Sequence, residues 1–170
     1  MDCAFMTADT TPPDPSFYAH PENSLGYLCR IAFRNFSRAL EKRTLPLGVT
    51  AGQWRFLRVL WAEDGLSQRE LSRRVGMREP TTVVALKSLE KAGYIRREPN
   101  AADRRVTNVF LTQAARDIEE RLLPCVVEVN AMATEGLTPT EANQLRALLG
   151  RVIDNLQDEA DTVLRRAGGE

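Results

Sequence analysis

Hydrophobic positions recur along most of this chain at helical spacing, and the interruptions fall where turn-forming residues stand. From Ser24 to about Arg43, residues Leu25, Leu28, Ile31, Ala32, Phe36, Ala39 and Leu40 recur at three- and four-residue intervals. One face of a long first helix is therefore apolar, and Pro46 with Gly48 ends it. Thr50 caps a second helix, Gln53 to Ala62, in which Trp54, Phe56, Leu57, Val59, Leu60 and Trp61 leave only Arg55 and Arg58 charged. A helix apolar nearly all round is a buried one. Ser67-Gln68-Arg69-Glu70 reads as a capping box opening a short third helix that runs to Val75, and Gly76 allows the turn that follows. A fourth helix, about Arg78 to Ala92, accepts Pro80 in its first turn, where the missing N–H has no intrahelical partner. It keeps Thr82, Ala85, Leu86 and Leu89 on one face and Arg78, Thr81, Val84, Lys87, Ser88 and Lys91 on the other, and Gly93 closes it.

Beyond Gly93 the period shortens. Tyr94 to Glu98 and Val106 to Leu111 are β-prone runs around a polar Pro/Asn/Asp tip, which predicts a two-stranded ribbon. Two long helices follow: Thr112 to about Glu135, interrupted by Pro124, and Thr138 to about Leu164, opened by the box Thr138-Pro139-Thr140-Glu141. Leu145, Leu148, Leu149, Val152, Ile153 and Leu156 form one stripe on the last helix. Residues 1–23 carry four prolines and four acids with few aliphatics, too little to offset the entropy of ordering. They predict a flexible arm, docked in part through Phe17 and Tyr18. The pattern as a whole is mainly α with one small β element.

Composition narrows the chemistry. The 170 residues hold 23 basic and 23 acidic side chains, yet residues 66–112 carry ten basic against five acidic, so a neutral chain contains a lobe of net +5. Such a lobe suits a polyanion. The single histidine, His20, stands in a Pro-rich stretch, which leaves acid–base and nucleophile constellations almost nothing to draw on. Enzyme activity is not expected. Cys3, Cys29 and Cys125 lack the spacings that hold zinc and cannot all pair within one chain, so neither a metal nor a structural disulfide is expected. No apolar run is long enough to span a membrane, and the first residues lack the order of a secretory signal; a cytoplasmic protein without cofactors is expected.

A capped short helix, a glycine turn, a second helix with an exposed polar face and then a basic ribbon is the order of a winged helix-turn-helix. A helix can read base edges in the major groove while a basic hairpin follows the neighbouring backbone or minor groove. Winged helices also serve as protein-interaction modules, but those have no need of basic side chains gathered on this helix and this ribbon tip.

The stretch LSQRELSRRVGMREPTTVVALKSLEKAGYIRREPNAADRRVTNVFLT resembles the MarR family of bacterial transcription regulators, above all in Leu89-Glu90 before Gly93 and in Asp103-Arg104-Arg105 before Leu111-Thr112. The resemblance implies a homodimer whose terminal helices interlock and whose winged lobes sit astride a pseudo-palindromic operator in double-stranded DNA. The apolar stripes of the terminal helices independently ask for a partner. The expected organisation is an arm (1–23), a dimerisation helix (24–49), a winged helix-turn-helix domain (50–111), dimerisation helices (112–165) and a tail (166–170). The resemblance also assigns DNA-contacting roles. Arg105 matches the wing-tip arginine that enters the minor groove, Asp103 the acid that orients the wing, and Arg97 is expected to pair with Asp103. Pro80, Thr81 and Val84 align with positions facing bases or phosphates. Where many relatives carry arginine, this chain has Val84, which can meet a thymine methyl but cannot fork onto guanine. Base reading then falls on Arg78, Glu79, Thr81 and Lys87, with Arg73, Arg74 and Arg104 as further DNA contacts; Lys87 and Lys91 also fit plain phosphate attraction.

In relatives a ligand lodges between the first two helices, the fifth and the partner chain. Arg30, Arg34 and Arg38 stand on one face of the first helix, and Trp54, Arg58 and Trp61 on the second. With Phe33, these residues would suit a small anionic aromatic effector or its acyl-CoA thioester, whose binding releases a repressor from DNA. They equally fit a plainer reading in which the tryptophans pack and the arginines pair with acids. Cys29 lies near the peroxide-sensing cysteine of the organic-hydroperoxide branch, which makes a redox sensor the alternative. Phe33 and Ala51 stand where that branch has tyrosines, and nothing obvious stabilises a thiolate.

Overall fold

A computed structural model describes residues 19–167, with side chains to residue 157. Residues 1–18 of the expected arm, Phe17 and Tyr18 among them, and the last three residues of the expected tail lie outside the described residues. The end of the arm is more regular than its composition suggests: Pro21–Asn23 forms a single 3-10 turn. The chain then divides into two compact units, 1–126 and 127–170.

In the first unit α1 (Leu25–Thr44) starts at Ser24, whose hydroxyl accepts from the Tyr27 N–H, and passes through a 3-10 turn (Leu45–Leu47) to Gly48, held at φ +83°. Thr50 opens α2 (Ala51–Ala62) with a complete capping box: Gln53 N–H donates to Thr50 Oγ1 (3.1 Å) and Thr50 N–H to Gln53 Oε1 (3.0 Å). The box at Ser67 forms only by half. Ser67 Oγ accepts from the Glu70 N–H at the start of α3 (Gln68–Val75), but the Glu70 carboxylate is drawn downstream by Arg73 and Arg74 instead of back to the cap. Two guanidiniums one turn away outcompete one backbone N–H. The Gly76 turn (φ +71°) leads to α4 (Glu79–Lys91), which begins at Arg78 and carries Pro80 in its first turn.

Strands β1 (Ile95–Pro99) and β2 (Thr107–Leu111) form the antiparallel ribbon, with Ile95 opposite Leu111 and Pro99 opposite Thr107. Residues 65–67 add a short third edge, where Gly65 N–H donates to the Val109 carbonyl (3.0 Å) and Val109 N–H to the Leu66 carbonyl (2.9 Å). The first half of α5 (Gln113–Ala133) completes this unit. The buried core runs through Val49, Phe56, Leu60, Leu71, Leu86, Leu89, Val109 and Leu122, so it extends beyond the winged segment into α5. The expected interruption at Pro124 does not occur, because α5 continues through it. A helix of this length survives the loss of one backbone hydrogen bond.

The second unit holds the rest of α5 and α6 (Pro139–Ala167). Here the predicted box is complete, with Thr138 N–H donating to Glu141 Oε2 (2.8 Å) and Glu141 N–H to Thr138 Oγ1 (3.3 Å). The Thr138 N–H first and the Thr138 hydroxyl second, both donating to Glu141 Oε2, hold the Glu141 carboxyl below its ordinary range. Leu145, Leu148, Leu149, Ile153 and Leu156 of α6 are exposed, as are Leu25, Leu28, Phe33 and Phe36 of α1. No helix among the described residues is long and apolar enough to cross a membrane.

Candidate nucleic-acid interface

The faces of α4 follow the sequence pattern. Thr82, Leu86 and Leu89 are buried, Ala85 is half-buried, and Arg78, Thr81, Val84, Lys87, Ser88 and Lys91 are exposed. What holds α4 at its angle is a buried polar latch: Thr82 Oγ1–H donates to Ser72 Oγ (3.1 Å), and Ser72 Oγ–H donates to the Met77 carbonyl (2.5 Å). Both helices are thereby tied to the turn between them. A shallow cleft of about 690 Å³, lined by Ser67, Arg69, Arg73, Arg78 and Glu79 among others, opens on this turn.

Ion pairs sort the ten basic side chains of the lobe. Arg74 donates to Glu63 (2.6 Å) and to Glu70 (2.7 Å), and Arg73 grips Glu70 through two bonds (2.7 and 2.9 Å). Arg73, then Arg74, lower the Glu70 pKa to about 2. Arg74 thus pins the end of α2 to α3. Arg97 departs from expectation altogether: it donates to Glu90 (2.5 and 3.1 Å), not to Asp103, and holds the Glu90 carboxyl below its usual range. Strand alternation is the reason. Position 97 shares the inward face with Ile95, so its side chain meets α4 and cannot reach the tip. Arg96, on the opposite face, stacks 4.7 Å from the centre of the Phe110 ring and pairs with Glu98. Arg69 lies 3.9 Å from Glu79.

Asp103 pairs with Arg105 instead. Its two carboxylate oxygens accept from Arg105 Nε and a terminal nitrogen (3.0 Å each), and one also accepts the Arg105 N–H (3.0 Å). The side-chain bond first and the backbone bond second lower the Asp103 pKa, and the same side-chain bond raises that of Arg105. Arg105 stays 91% exposed, so the acid sets its direction without covering it. Asn100 shapes the tip beneath: its Oδ1 accepts from the Ala102 N–H (2.8 Å) and the Asp103 N–H (3.1 Å). The base of the wing rests on Asp64, whose carboxylate accepts from the Gly65 N–H (3.0 Å), the Leu111 N–H (2.8 Å) and Arg116 (2.6 Å). Sequence reasoning missed Asn100, Asp64 and Glu90. The Asp64-Gly65 and Pro99-Asn100 turn pairs were the available signals for two of them, whereas Glu90 stood out only as part of the family signature, with nothing local to name Arg97 as its partner.

Among the described residues, Arg78, Lys87, Lys91 and Arg104 carry no carboxylate partner, and all four are exposed. Three belong to the outer face of α4 or its cap and one to the wing tip.

The expected effector residues separate. Trp54 is only 6% exposed and belongs to the core; Trp61 packs against it at 5.4 Å between ring centres and donates its Nε1–H to the Ala115 carbonyl (3.0 Å). Packing accounts for both. On the other side Arg30 lies over the Tyr27 ring, Arg55 over the exposed Phe33 ring, and Arg34 and Arg58 are exposed without a carboxylate partner among the described residues. Cys29 is exposed on α1, whereas Cys125 lies 3.8 Å from the Arg43 carbonyl. Among the described residues no group of three His, Cys, Asp or Glu side chains could hold a metal ion.

This arrangement recurs in known proteins. A sequence model of the MarR family matches residues 47–106. The HTH-type transcriptional regulator TtmR of Methylorubrum extorquens (strain PA1) is 32% identical over 149 residues, which cover 86% of this chain and 71% of that protein. The chain belongs to the MarR family. As a MarR protein it is a DNA-binding transcription regulator and not an enzyme. Solved MarR structures share its fold. A MarR regulator from Methanosarcina mazei Go1 superimposes with a TM-score of 0.75 at 25% identity, covering 79% of this chain and 96% of that one. A mutant MarR from E. coli, crystallised in complex with operator DNA, has a TM-score of 0.73 at 26% identity, with 82% and 98% covered.

Proposed function

We propose that this protein is a homodimeric repressor that grips a pseudo-palindromic operator through α4 and the wing, and releases it when a small anionic aromatic compound, or its acyl-CoA thioester, binds. The observation that carries the DNA reading is the sorting of the lobe's charges. Carboxylates hold the arginines that brace the scaffold and, among the described residues, leave Arg78, Lys87 and Lys91 without a carboxylate partner on the outer face and cap of α4 and Arg104 without one at the wing tip. Those cations suit phosphates, Thr81 and Val84 suit base edges, and Arg105, aimed by Asp103, suits a narrow minor groove. The operator-bound E. coli relative supports the same use of the fold. The exposed stripes of α1 and α6 are too apolar to stay in water and fit a second copy of the chain. Dimerisation helices at 24–49 and 112–165 around a DNA-binding segment at 50–111 agree with that reading.

The effector reading rests on Arg55 lying over the exposed Phe33 ring and Arg30 over the Tyr27 ring of α1, with Arg34 and Arg58 exposed and without a carboxylate partner among the described residues. An aromatic anion offers both a carboxylate for the guanidiniums and a ring for Phe33. A duplex is first selected with the full protein from a randomised pool, and its fluorescence anisotropy is then followed against benzoates, cinnamates and their coenzyme A thioesters. One of them is expected to weaken DNA binding between about 5- and 150-fold, the usual range of coupling between two sites, and Arg34→Ala and Arg58→Ala are expected to lose that response while binding DNA normally. Release by cumene hydroperoxide that disappears in Cys29→Ser would replace this sensor with a redox one.

A further inference from the structure

We infer that Val84 selects a thymine in the operator through its C5 methyl group. The inference rests on the reading of α4 as the groove-entering helix. Between Leu45 and Leu123, Val84 is the one large apolar side chain among the described residues that stands exposed, at 69%, while every other Val, Leu, Ile and Met of residues 66–112 is buried or half-buried. It occupies the middle of the outer face of α4, one turn from Thr81 and Pro80 on one side and from Lys87 and Ser88 on the other. A lone surface valine elsewhere would need no explanation. Here it sits between free cations, Arg78 and Lys87, whose phosphate contacts would press the centre of the helix onto base edges.

The chemistry of the position is narrow. Val84 has no hydrogen-bonding atom, so it can neither donate to guanine nor accept from cytosine, and the apolar feature of the major groove is the thymine methyl. Its β-branch holds χ1 in essentially one rotamer within a helix, so its two methyl groups are presented before binding and little entropy is lost on contact. Val83, the adjacent valine, is half-buried on the flank of the helix and cannot share this role.

The test uses the full chain and duplexes it retains from a randomised pool. Each thymine is replaced in turn by uracil, which removes only the methyl group and leaves the base pair. At one thymine or more, wild type is expected to lose about fourfold in affinity, the worth of one buried methyl, while folded Val84→Ala binds thymine and uracil duplexes alike. Val84→Thr, which keeps one methyl, is expected to fall between them. Equal binding of every uracil duplex by wild type, or a uracil penalty undiminished in Val84→Ala, overturns the inference and leaves DNA recognition by α4 standing. Failure to enrich any sequence over random DNA overturns both, since a side chain cannot read a groove that its helix does not enter.

Discussion

Arg105 and Asp103 stand two residues apart at the wing tip, and the fork they form restricts the arginine without hiding it. Removing the guanidinium deletes the contact itself, whereas removing the acid only frees its direction. Arg105→Ala is expected to weaken operator binding about fivefold or more, and Asp103→Ala less, with both variants folded by circular dichroism. Binding by both at the wild-type level would mean the tip does not touch DNA. Glu70 works inward, between Arg73 and Arg74. Its pKa falls from 4.5 to about 2 in the folded chain, so between those values the native state holds fewer protons than the unfolded one and stability rises with pH. The stabilisation by Glu70 is complete above about pH 4.5 and is lost as the pH falls through about 2. Glu70→Gln is therefore expected to flatten stability against pH in that window, as measured by urea titrations at intervals of pH.

At the scale of elements, the wing is a ribbon that would be marginal alone, because two short strands bury little. Four attachments hold it: the buried Ile95, Val109 and Leu111, the edge formed by residues 65–67, the Asp64 carboxylate joining the Leu111 N–H to Arg116, and the Arg97–Glu90 pair between β1 and α4. Gly65 belongs to the same joint. Its φ is +78°, and a Cβ there would lie 2.7 Å from the Phe110 ring. Losing the Asp64 carboxylate leaves the Leu111 N–H and Arg116 unpaired, so Asp64→Ala is expected to cost about 1–2 kcal/mol of stability. The same variant is expected to raise hydrogen exchange in β2 more than in α4. Uniform exchange through the lobe would show that Asp64 anchors nothing in particular. The helix-turn-helix is braced differently, by Ser72 and Thr82 within its own core. Wing and recognition helix thus have separate local braces and meet through the Arg97–Glu90 pair, so damage at the Asp64 joint is expected to reach α4 less than the wing.

For the whole molecule, neutrality is a balance between a basic lobe and an acidic remainder. Long-range attraction to DNA then depends on how the lobe is turned and on the salt around it. Each phosphate neutralised contributes about −0.9 to the slope of log affinity against log salt. Lys91→Gln is expected to make that slope shallower by this amount for each Lys91 in contact, without altering which sequence is preferred. Sedimentation is expected to give twice the mass of the chain, because the α1 and α6 stripes need a covering surface. A monomer, or a slope unchanged in Lys91→Gln, would remove the support for this view.

Much of the architecture was legible because short-range physics decides it. The three- and four-residue spacing in α1, α4 and α6, the nearly unbroken apolar run of α2, the Thr138 box, the glycine turns at Gly48, Gly76 and Gly93, and the β-prone run Val106 to Leu111 each depend on neighbours within a few residues. The outward face of α4, Val84 included, followed from that spacing alone. The partners of charged groups did not. Glu70 had a backbone N–H and two arginines within reach, Asp103 had Arg97 and Arg105, and local pattern ranks none of these. The packing of β1 against α4 turned Arg97 toward Glu90; the meeting of residues 64–66 with β2 and α5 gave Asp64 its two distant donors, Leu111 and Arg116; the closing of the core over Trp54 made it a packing residue. Periodicity is a property of consecutive residues and survives in the sequence. An ion pair between residues far apart in the chain exists only once folding has brought its two ends within about 3 Å, and only the tertiary structure decides that.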